Sequence, residues 1–122
     1  MLGHMTNGTL PDDWDRFGKE FPADAKGLPL RQSSPQCLNM LAQGVPWTLG
    51  GSADLATSCL TSLKFDNAGD FMPPTSGWGS YSGRNFHFGI REHAMGSIIN
   101  GMGASHLRPL GGFIHLRAWR DW

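Results

Sequence analysis

Residues 50–55 read GGSADL, and residues 88–95 read FGIREHAM. A short strand-like segment precedes each stretch, at residues 45–49 and at residues 86–88. A strand that runs into a glycine-containing turn is typical of α/β proteins. Because open parallel sheets bind their ligands at the carboxyl ends of their strands, both stretches are candidate ligand-binding loops.

The segment before the first loop predicts a helix. Ser34 is a suitable N-cap, Pro35 is a suitable first helical residue, and Gly44 is a typical terminating residue. Between them, apolar residues recur at helical spacing: Leu38, Leu41 and Ala42. A helix followed by a short strand and a glycine turn predicts an α/β fold.

A second helix is predicted to begin at Glu92. Its apolar residues share one helical face: Met95, Ile98, Ile99 and Met102. Residues 66–85 form a long connection rich in Gly, Ser, Pro and Asp, and this length indicates a functional loop or a segment extended over the surface. Residues 113–116 predict a third short strand.

The composition excludes several classes of function. The chain has 122 residues, ten basic and ten acidic side chains, and a formal net charge of zero. Nucleic-acid-binding proteins carry a basic excess, so we expect no nucleic-acid partner. A transmembrane helix needs about 20 apolar residues, and no run of the sequence approaches that length, so we expect no membrane span.

Two cysteines, Cys37 and Cys59, are present. They form no CxxC pair and are too few for a disulfide scaffold. We therefore expect two reduced thiols in a cytoplasmic protein.

Two acids are candidates for chemistry at the loops. Glu92 lies where a strand and a glycine turn lead into the second helix. Its carboxyl group is either a proton donor in a cleft or a favourable charge at a helix start. Asp54 is either a ligand contact or a cap for the turn that follows it. Position alone leaves these alternatives open.

The histidines do not predict a metal site. Four of them follow residue 86: His87, His93, His106 and His115. No pair among them has the spacing of a zinc motif, so we expect no metal ligands in this sequence.

The two loop motifs together resemble signatures of the transketolase family. GGSADL and FGIREHAM are similar to two family segments that occur in this order, and the likeness runs from Leu30 to Ser105. This part of the family is the first portion of the middle domain, which binds the pyrimidine half of thiamine diphosphate. The resemblance implies an α/β fold, namely a partial three-layer parallel-sheet domain of the pyrimidine-binding type.

The resemblance also implies roles for four residues. Glu92 matches the catalytic glutamate that contacts the pyrimidine ring nitrogen opposite the amino group, where a buried acid tunes the cofactor. Asp54 matches an aspartate close to the cofactor, where a carboxylate offsets the positive thiazolium. Arg31 and Ser58 match an arginine and a serine that bind the phosphate of the sugar substrate, and a guanidinium suits that task through its planar donors.

One part of the sequence departs from the family pattern. The family continues with a strand reading Phe-x-x-Phe-x-x-Tyr, whose aromatic rings form a wall of the pyrimidine pocket. Phe113 fits the first position, whereas Leu116 and Trp119 occupy the other two. Phe113 and Leu116 are therefore expected cofactor contacts, although Leu116 lacks the aromatic ring.

The resemblance divides the chain into an irregular segment (residues 1–30), a partial pyrimidine-binding domain (31–116) and a divergent tail (117–122). In the family, the Mg²⁺ ligands belong to a diphosphate-binding domain that this sequence lacks. The cofactor lies at the interface of a homodimer, and the substrates are phosphorylated sugars of the pentose phosphate pathway.

We therefore expect part of a transketolase that is inactive by itself. One alternative is a fragment of a related thiamine enzyme such as 1-deoxyxylulose 5-phosphate synthase, although those enzymes lack the GGSADL stretch. Another is a non-catalytic product of a truncated or frame-shifted reading frame, which the divergent tail favours.

Overall fold

The computed structural model describes residues 2–104 and the backbone of residues 112–114. Within them, the elements follow in this order: α1 (Leu2–Asn7), α2 (Leu30–Gly44), β1 (Leu49–Ser52), α3 (Ala56–Cys59), a 3₁₀ turn (Pro74–Ser76), β2 (Asn85–His87), α4 (Glu92–Ala104) and β3 (Gly112–Ile114). The N-terminal segment, expected to be irregular, contains the short helix α1, which buries none of its residues. No helix in this part of the chain is long and apolar enough to cross a membrane.

The three strands form one parallel sheet in the order β2-β1-β3. On the central strand, Gly50 lies opposite Asn85 of β2 and opposite Phe113 of β3. Parallel strands require crossover connections, and α3 and α4 lie within the two connections of this sheet. The predicted α/β class with parallel strands is confirmed.

The central strand lies later in the sequence than predicted. Residues 45–49 are the predicted strand, but β1 begins only at the last of them. The residues before it form a turn, in which the Thr48 N–H donates to the Val45 carbonyl oxygen at 3.0 Å. Pro46 explains the difference, because it cannot donate a hydrogen bond to a neighbouring strand.

The glycine pair of the first motif is therefore part of a strand, and its prediction as a turn is wrong. A Cβ atom at Gly51 would overlap the carbonyl oxygen of Phe86 on the adjacent strand. Only glycine permits this approach of two backbones. The other two strands begin one residue earlier than predicted, at Asn85 and Gly112, and β3 is described only as far as Ile114.

Helix α2 also begins earlier than predicted. The expected N-cap, Ser34, lies inside the helix, as does Pro35. The first turn is closed instead by the Pro29 carbonyl oxygen, which accepts from the N–H groups of Gln32 at 2.7 Å and Ser33 at 3.2 Å. Pro35 has no N–H to donate to the Arg31 carbonyl oxygen, so α2 continues past it with one intrahelical hydrogen bond fewer. It ends at Gly44, as predicted.

The core lies between α2 and the segment that follows α3. Its buried members are Leu38, Ala42, Leu63 and Ala68, with the half-buried Phe65 packed against them. On α4, Met95 is buried, whereas Ile98 of the same predicted apolar face is 44% exposed. Within the described residues, the sheet and helices therefore cover only part of that face.

A single cation joins α2 to the sheet. The Arg84 guanidinium donates to the carbonyl oxygens of Ala42 (2.8 Å), Val45 (2.9 Å) and Thr48 (2.9 Å). Its Cζ atom lies 5.0 Å from the centre of the Phe65 ring. Burial lowers the pKa of Arg84 from its ordinary value, and the carbonyl dipoles at the end of α2 compensate the buried charge.

Two asparagines fix the segment between α3 and β2. The Asn85 side chain accepts from the Leu63 N–H at 2.8 Å and donates to the Leu63 carbonyl oxygen at 3.0 Å. Asn39 of α2 accepts from the Lys64 N–H at 2.6 Å and donates to the Ser62 carbonyl oxygen at 3.2 Å. These side chains replace the backbone partners that the segment would have in a sheet.

The connection predicted at residues 66–85 lies along the outer edge of β2. The Phe71 N–H donates to the Asn85 carbonyl oxygen at 2.8 Å, and the Phe71 ring stacks on Phe86 with a centroid distance of 4.6 Å. The Asp70 Oδ1 accepts a hydrogen bond from the His87 Nε2 at 2.7 Å. The connection is therefore tied to the sheet along its length.

We expect Arg84→Met to lower the free energy of unfolding by about 2–4 kcal/mol, because three carbonyl oxygens lose a charged donor while the apolar stem is retained. Urea unfolding followed by tryptophan fluorescence measures the change.

Arg16→Met is the matched control. Arg16 forms an exposed ion pair with Asp13, and we expect its replacement to change stability by no more than about 0.5 kcal/mol. Equal losses in the two variants would contradict the structural role assigned to Arg84.

Candidate functional site

The two sequence motifs meet at one edge of the sheet. The first continues from the carboxyl end of β1 and the second from the carboxyl end of β2, and these strands are parallel. The Phe88 N–H donates to the Ser52 carbonyl oxygen at 3.3 Å, immediately beyond the paired residues. The loops that carry Asp54 and Glu92 therefore start from a shared hydrogen bond.

Asp54 lies in the left-handed backbone region, with a φ of +66°. Its side chain is exposed, and aspartate is one of the few non-glycine residues that adopt this conformation readily. The loop is held by the buried Ser52, whose Oγ accepts from the Leu55 N–H at 3.0 Å. The N-cap of α3 is Leu55 rather than Asp54, and it makes no side-chain cap hydrogen bond. The structure therefore does not support the interpretation of Asp54 as a helix cap.

Glu92 is the first residue of α4, as predicted, and its side chain is half-buried. The turn before it contains Gly89 with a φ of +64°. Arg91 closes this turn, because its backbone N–H donates to the Gly89 carbonyl oxygen at 2.8 Å and its Nη1 donates to the Phe88 carbonyl oxygen at 3.1 Å. A tight turn thus brings Glu92 from the end of β2 to the start of a helix.

The two predicted phosphate contacts are exposed and belong to different helices. Arg31 is the second residue of α2, and Ser58 is the third residue of α3. The Ser58 Oγ donates to the Leu55 carbonyl oxygen at 3.2 Å. Ser34, one turn after Arg31, and Cys59, next to Ser58, line one cavity between the two helices. The lining of that cavity includes neither Arg31 nor Ser58.

The predicted pyrimidine wall is described only in part. Phe113 lies on β3, where its backbone pairs with Gly50. Leu116 lies outside the described residues, as does the divergent tail at residues 117–122. The contacts predicted for these side chains stay predictions.

The described residues contain no group of three His, Cys, Asp or Glu side chains arranged to hold a metal ion. His87, one of the four histidines considered above, lies beside Asp70 and stacks edge-on against Trp78 at a centroid distance of 5.4 Å.

Sequence reasoning missed the residues that hold the loops and the sheet edge in place. Arg84, Asn39 and Asn85 act through bonds to distant backbone groups, and Ser52 acts three residues along the chain. Only Ser52 had a local signal, since a serine near a turn often accepts a backbone N–H. The other three have no sequence pattern that predicts their partners.

Two acids lie in loops at the carboxyl edge of a parallel sheet, one of them after a turn that contains Gly89, and this edge is where α/β domains commonly bind ligands. Residues 26–115 match the family model described as "Transketolase, pyrimidine binding domain". The chain belongs to the transketolase family.

Individual relatives agree with this assignment. The chain is 42% identical over 113 residues to Transketolase 2 of Saccharomyces cerevisiae, covering 91% of this chain and 16% of that protein. It is 50% identical over 109 residues to the transketolase of Bacillus subtilis, covering 86% of this chain and 15% of that protein.

Solved structures show the same similarity in three dimensions. A crystal structure of a transketolase complex with sedoheptulose-7-phosphate from Pichia stipitis has a TM-score of 0.71 and 42% sequence identity, covering 84% of this chain and 15% of that one. A transketolase from Leishmania mexicana has a TM-score of 0.67 and 36% identity, covering 85% of this chain and 14% of that one. The family and fold predictions are confirmed, and the alternative of a 1-deoxyxylulose 5-phosphate synthase fragment is not favoured.

We expect Ser52→Ala to lower the free energy of unfolding by about 1 kcal/mol, because the Leu55 N–H loses its acceptor inside the first loop. Amide hydrogen exchange at Leu55 is expected to accelerate in the same variant. Ser58→Ala is the matched control, since its exposed hydroxyl is expected to contribute no more than about 0.5 kcal/mol. Unchanged exchange at Leu55 in the Ser52 variant would contradict the proposed anchoring of the loop.

Proposed function

We propose that this chain supplies the pyrimidine-binding part of a transketolase, which transfers a two-carbon ketol unit between phosphorylated sugars with thiamine diphosphate. The observation that carries the proposal is the placement of Asp54 and Glu92 at one edge of a parallel sheet, inside the segment that matches the family. The chain spans only 14–16% of the length of the relatives compared above, so the remaining parts of the site would come from other segments or subunits.

The residues at this edge suit the cofactor. Asp54 offers an exposed carboxylate that can offset a positive thiazolium, and the half-buried Glu92 can share a proton with a ring nitrogen. When bound, thiamine diphosphate supplies the carbon chemistry of the transfer. Glu92 would hold the proton at the pyrimidine ring nitrogen, and Asp54 would lie near the ring that carries positive charge.

Phe113 and Leu116 would contribute to the wall of the pyrimidine pocket. An aliphatic side chain at Leu116 contacts a ring by dispersion but lacks the aromatic contribution of about 0.5–1.5 kcal/mol. Mg²⁺ would bind the diphosphate through ligands of another domain, as the family resemblance implies.

Arg31 and Ser58 would bind the phosphate of the sugar. Both residues are exposed, Arg31 on α2 and Ser58 on α3, and a guanidinium and a hydroxyl are complementary donors for phosphate oxygens. The Pichia stipitis relative crystallised with sedoheptulose-7-phosphate supports a phosphorylated sugar as substrate. A homodimer in the cytoplasm, acting in the pentose phosphate pathway, is the setting that the family resemblance implies.

A chimera tests the role of Glu92. Residues 31–104 of this chain would replace the matching segment of the Bacillus subtilis transketolase, and ketol transfer would be measured with and without Glu92→Gln. We expect the chimera to be active and the substitution to lower kcat by at least about 100-fold, because an amide cannot hold the proton.

Asp66→Asn in the same chimera is the control, since Asp66 is an exposed acid away from both loops. It is expected to leave kcat within about twofold of the unsubstituted chimera. An active Glu92→Gln chimera would remove the basis for the catalytic assignment.

A second measurement separates phosphate binding from chemistry. We expect Arg31→Ala in the chimera to raise KM for a phosphorylated acceptor by at least about tenfold, since a charged hydrogen bond contributes about 1.5–3 kcal/mol. A non-phosphorylated acceptor should show no such change. Lys64→Ala, which removes another exposed cation, is the control. An equal effect on both acceptors would refute a phosphate contact by Arg31.

A further inference from the structure

The sequence contains two Asn-Gly dipeptides, at residues 7–8 and at residues 100–101. In such a pair, the backbone nitrogen of the glycine can attack the side-chain amide of the asparagine, because glycine has no Cβ atom to obstruct the approach. The two pairs are alike in setting: a β-branched residue precedes each of them, Thr6 or Ile99, and both pairs are exposed. Any difference in their reactivity therefore depends on the backbone.

The backbone holds the two pairs differently. Asn7 is the last residue of α1, a helix of six residues that buries none of them, and Gly8 leaves the helix with a φ of +67°. Asn100 and Gly101 both lie within α4, where helical hydrogen bonds hold the peptide between them. Helices as short as α1 are marginally stable, and the ends of a chain open readily. The attack requires the Asn-Gly peptide to rotate out of the helical conformation, which costs less free energy at Asn7 than at Asn100.

The first pair also lies inside a small loop of contacts. The Thr9 N–H donates to the His4 carbonyl oxygen at 3.0 Å, and the Thr9 Oγ1 lies 3.0 Å from the His4 Nδ1, at hydrogen-bond distance. The His4 ring stacks on the Trp47 ring with a centroid distance of 6.1 Å and an interplanar angle of 17°, and Trp47 is only 5% exposed. The backbone between His4 and Thr9, which includes the first Asn-Gly pair, therefore helps to position His4 against Trp47.

We propose that the Asn7–Gly8 peptide is a site of spontaneous deamidation that releases His4 from Trp47. The Gly8 nitrogen bonds to the Asn7 Cγ atom, its proton leaves with the side-chain amide group as ammonia, and a five-membered succinimide ring remains. Water then opens this ring at either carbonyl carbon, which gives aspartate or isoaspartate. Isoaspartate carries the main chain through the former side chain and lengthens it by one methylene group, so the backbone no longer matches the two contacts between His4 and Thr9. This site does not rest on the proposed function.

Incubation of the full 122-residue chain in mildly alkaline buffer tests the reactivity of the site. Peptide mass spectrometry measures deamidation at both pairs in the same sample. We expect deamidation at Asn7 to be at least about tenfold faster than at Asn100, because opening a chain end costs less than opening α4. In concentrated urea the two rates should agree within about threefold, since unfolding removes the difference in backbone. Equal rates in the native buffer, or a faster reaction at Asn100, would overturn the proposal.

Gly8→Ala is the matched substitution, because it adds one methyl group beside the attacking nitrogen. Apart from its chain neighbours, no described atom lies within 4 Å of the position that the new Cβ would take, so the variant meets no other segment. We expect deamidation at Asn7 to slow at least about fivefold. Gly101→Ala is the control and should leave the rate at Asn7 within about twofold of the unsubstituted chain. An unchanged rate at Asn7 in Gly8→Ala would contradict attack by this nitrogen.

The indole N–H resonance of Trp47, assigned by its absence in Trp47→Phe, tests the release of His4. We expect the isoaspartate form of the chain, separated chromatographically from the unmodified form, to show a shifted Trp47 resonance and faster exchange of this proton with water. His4→Ala should reproduce the shift. Asn7→Asp adds the charge without lengthening the backbone and should leave the resonance in place. An unshifted resonance in the isoaspartate form, or the same shift in Asn7→Asp, would overturn release through the lengthened backbone.

Discussion

The bonds from the Arg84 guanidinium to three carbonyl oxygens are the contact on which the arrangement of α2, β1 and β2 depends. The residue directly precedes β2, and its donors reach the last turn of α2, the turn after it and the residue before β1. The carbonyl dipoles at the end of a helix favour a cation there, and in turn the cation satisfies acceptors that the helix leaves open. The Arg84 side chain thus holds the end of α2 against the starts of β1 and β2.

The sequence was sufficient for the fold class, the start of α4 and the end of α2, because helical spacing and glycine termination are local signals. It was insufficient for β1. Judged from adjacent residues alone, two consecutive glycines favour a turn. Gly51 is needed in the strand because the Phe86 carbonyl oxygen, 35 residues away in sequence, leaves no room for a Cβ atom. Bonds of Arg84 and Asn85 span 16 to 42 residues, and no local pattern encodes them.

The candidate site, like the fold, was predictable from the sequence only in part. The loop positions of Asp54 and Glu92 followed from short motifs at strand ends, and the sheet explains why two motifs so far apart in sequence share an edge. The proposed roles of Arg31 and Ser58 rest on resemblance alone, because two exposed side chains on separate helices have no local feature that marks them as a pair. The cavity lined by α2 and residues 59–61 was not predictable, since its walls come from two separate segments of the chain.

The hydrogen bond from the Phe88 N–H to the Ser52 carbonyl oxygen sets the spacing of the two acids through the backbone. The buried cluster of Leu38, Ala42, Leu63 and Ala68 contains neither of the two bonded residues. Changes in core volume during evolution can therefore alter the stability of the domain while the acids keep their separation. The separation of the two loops and the packing of this cluster are set by different residues, so a change of one buried side chain need not move the loops apart.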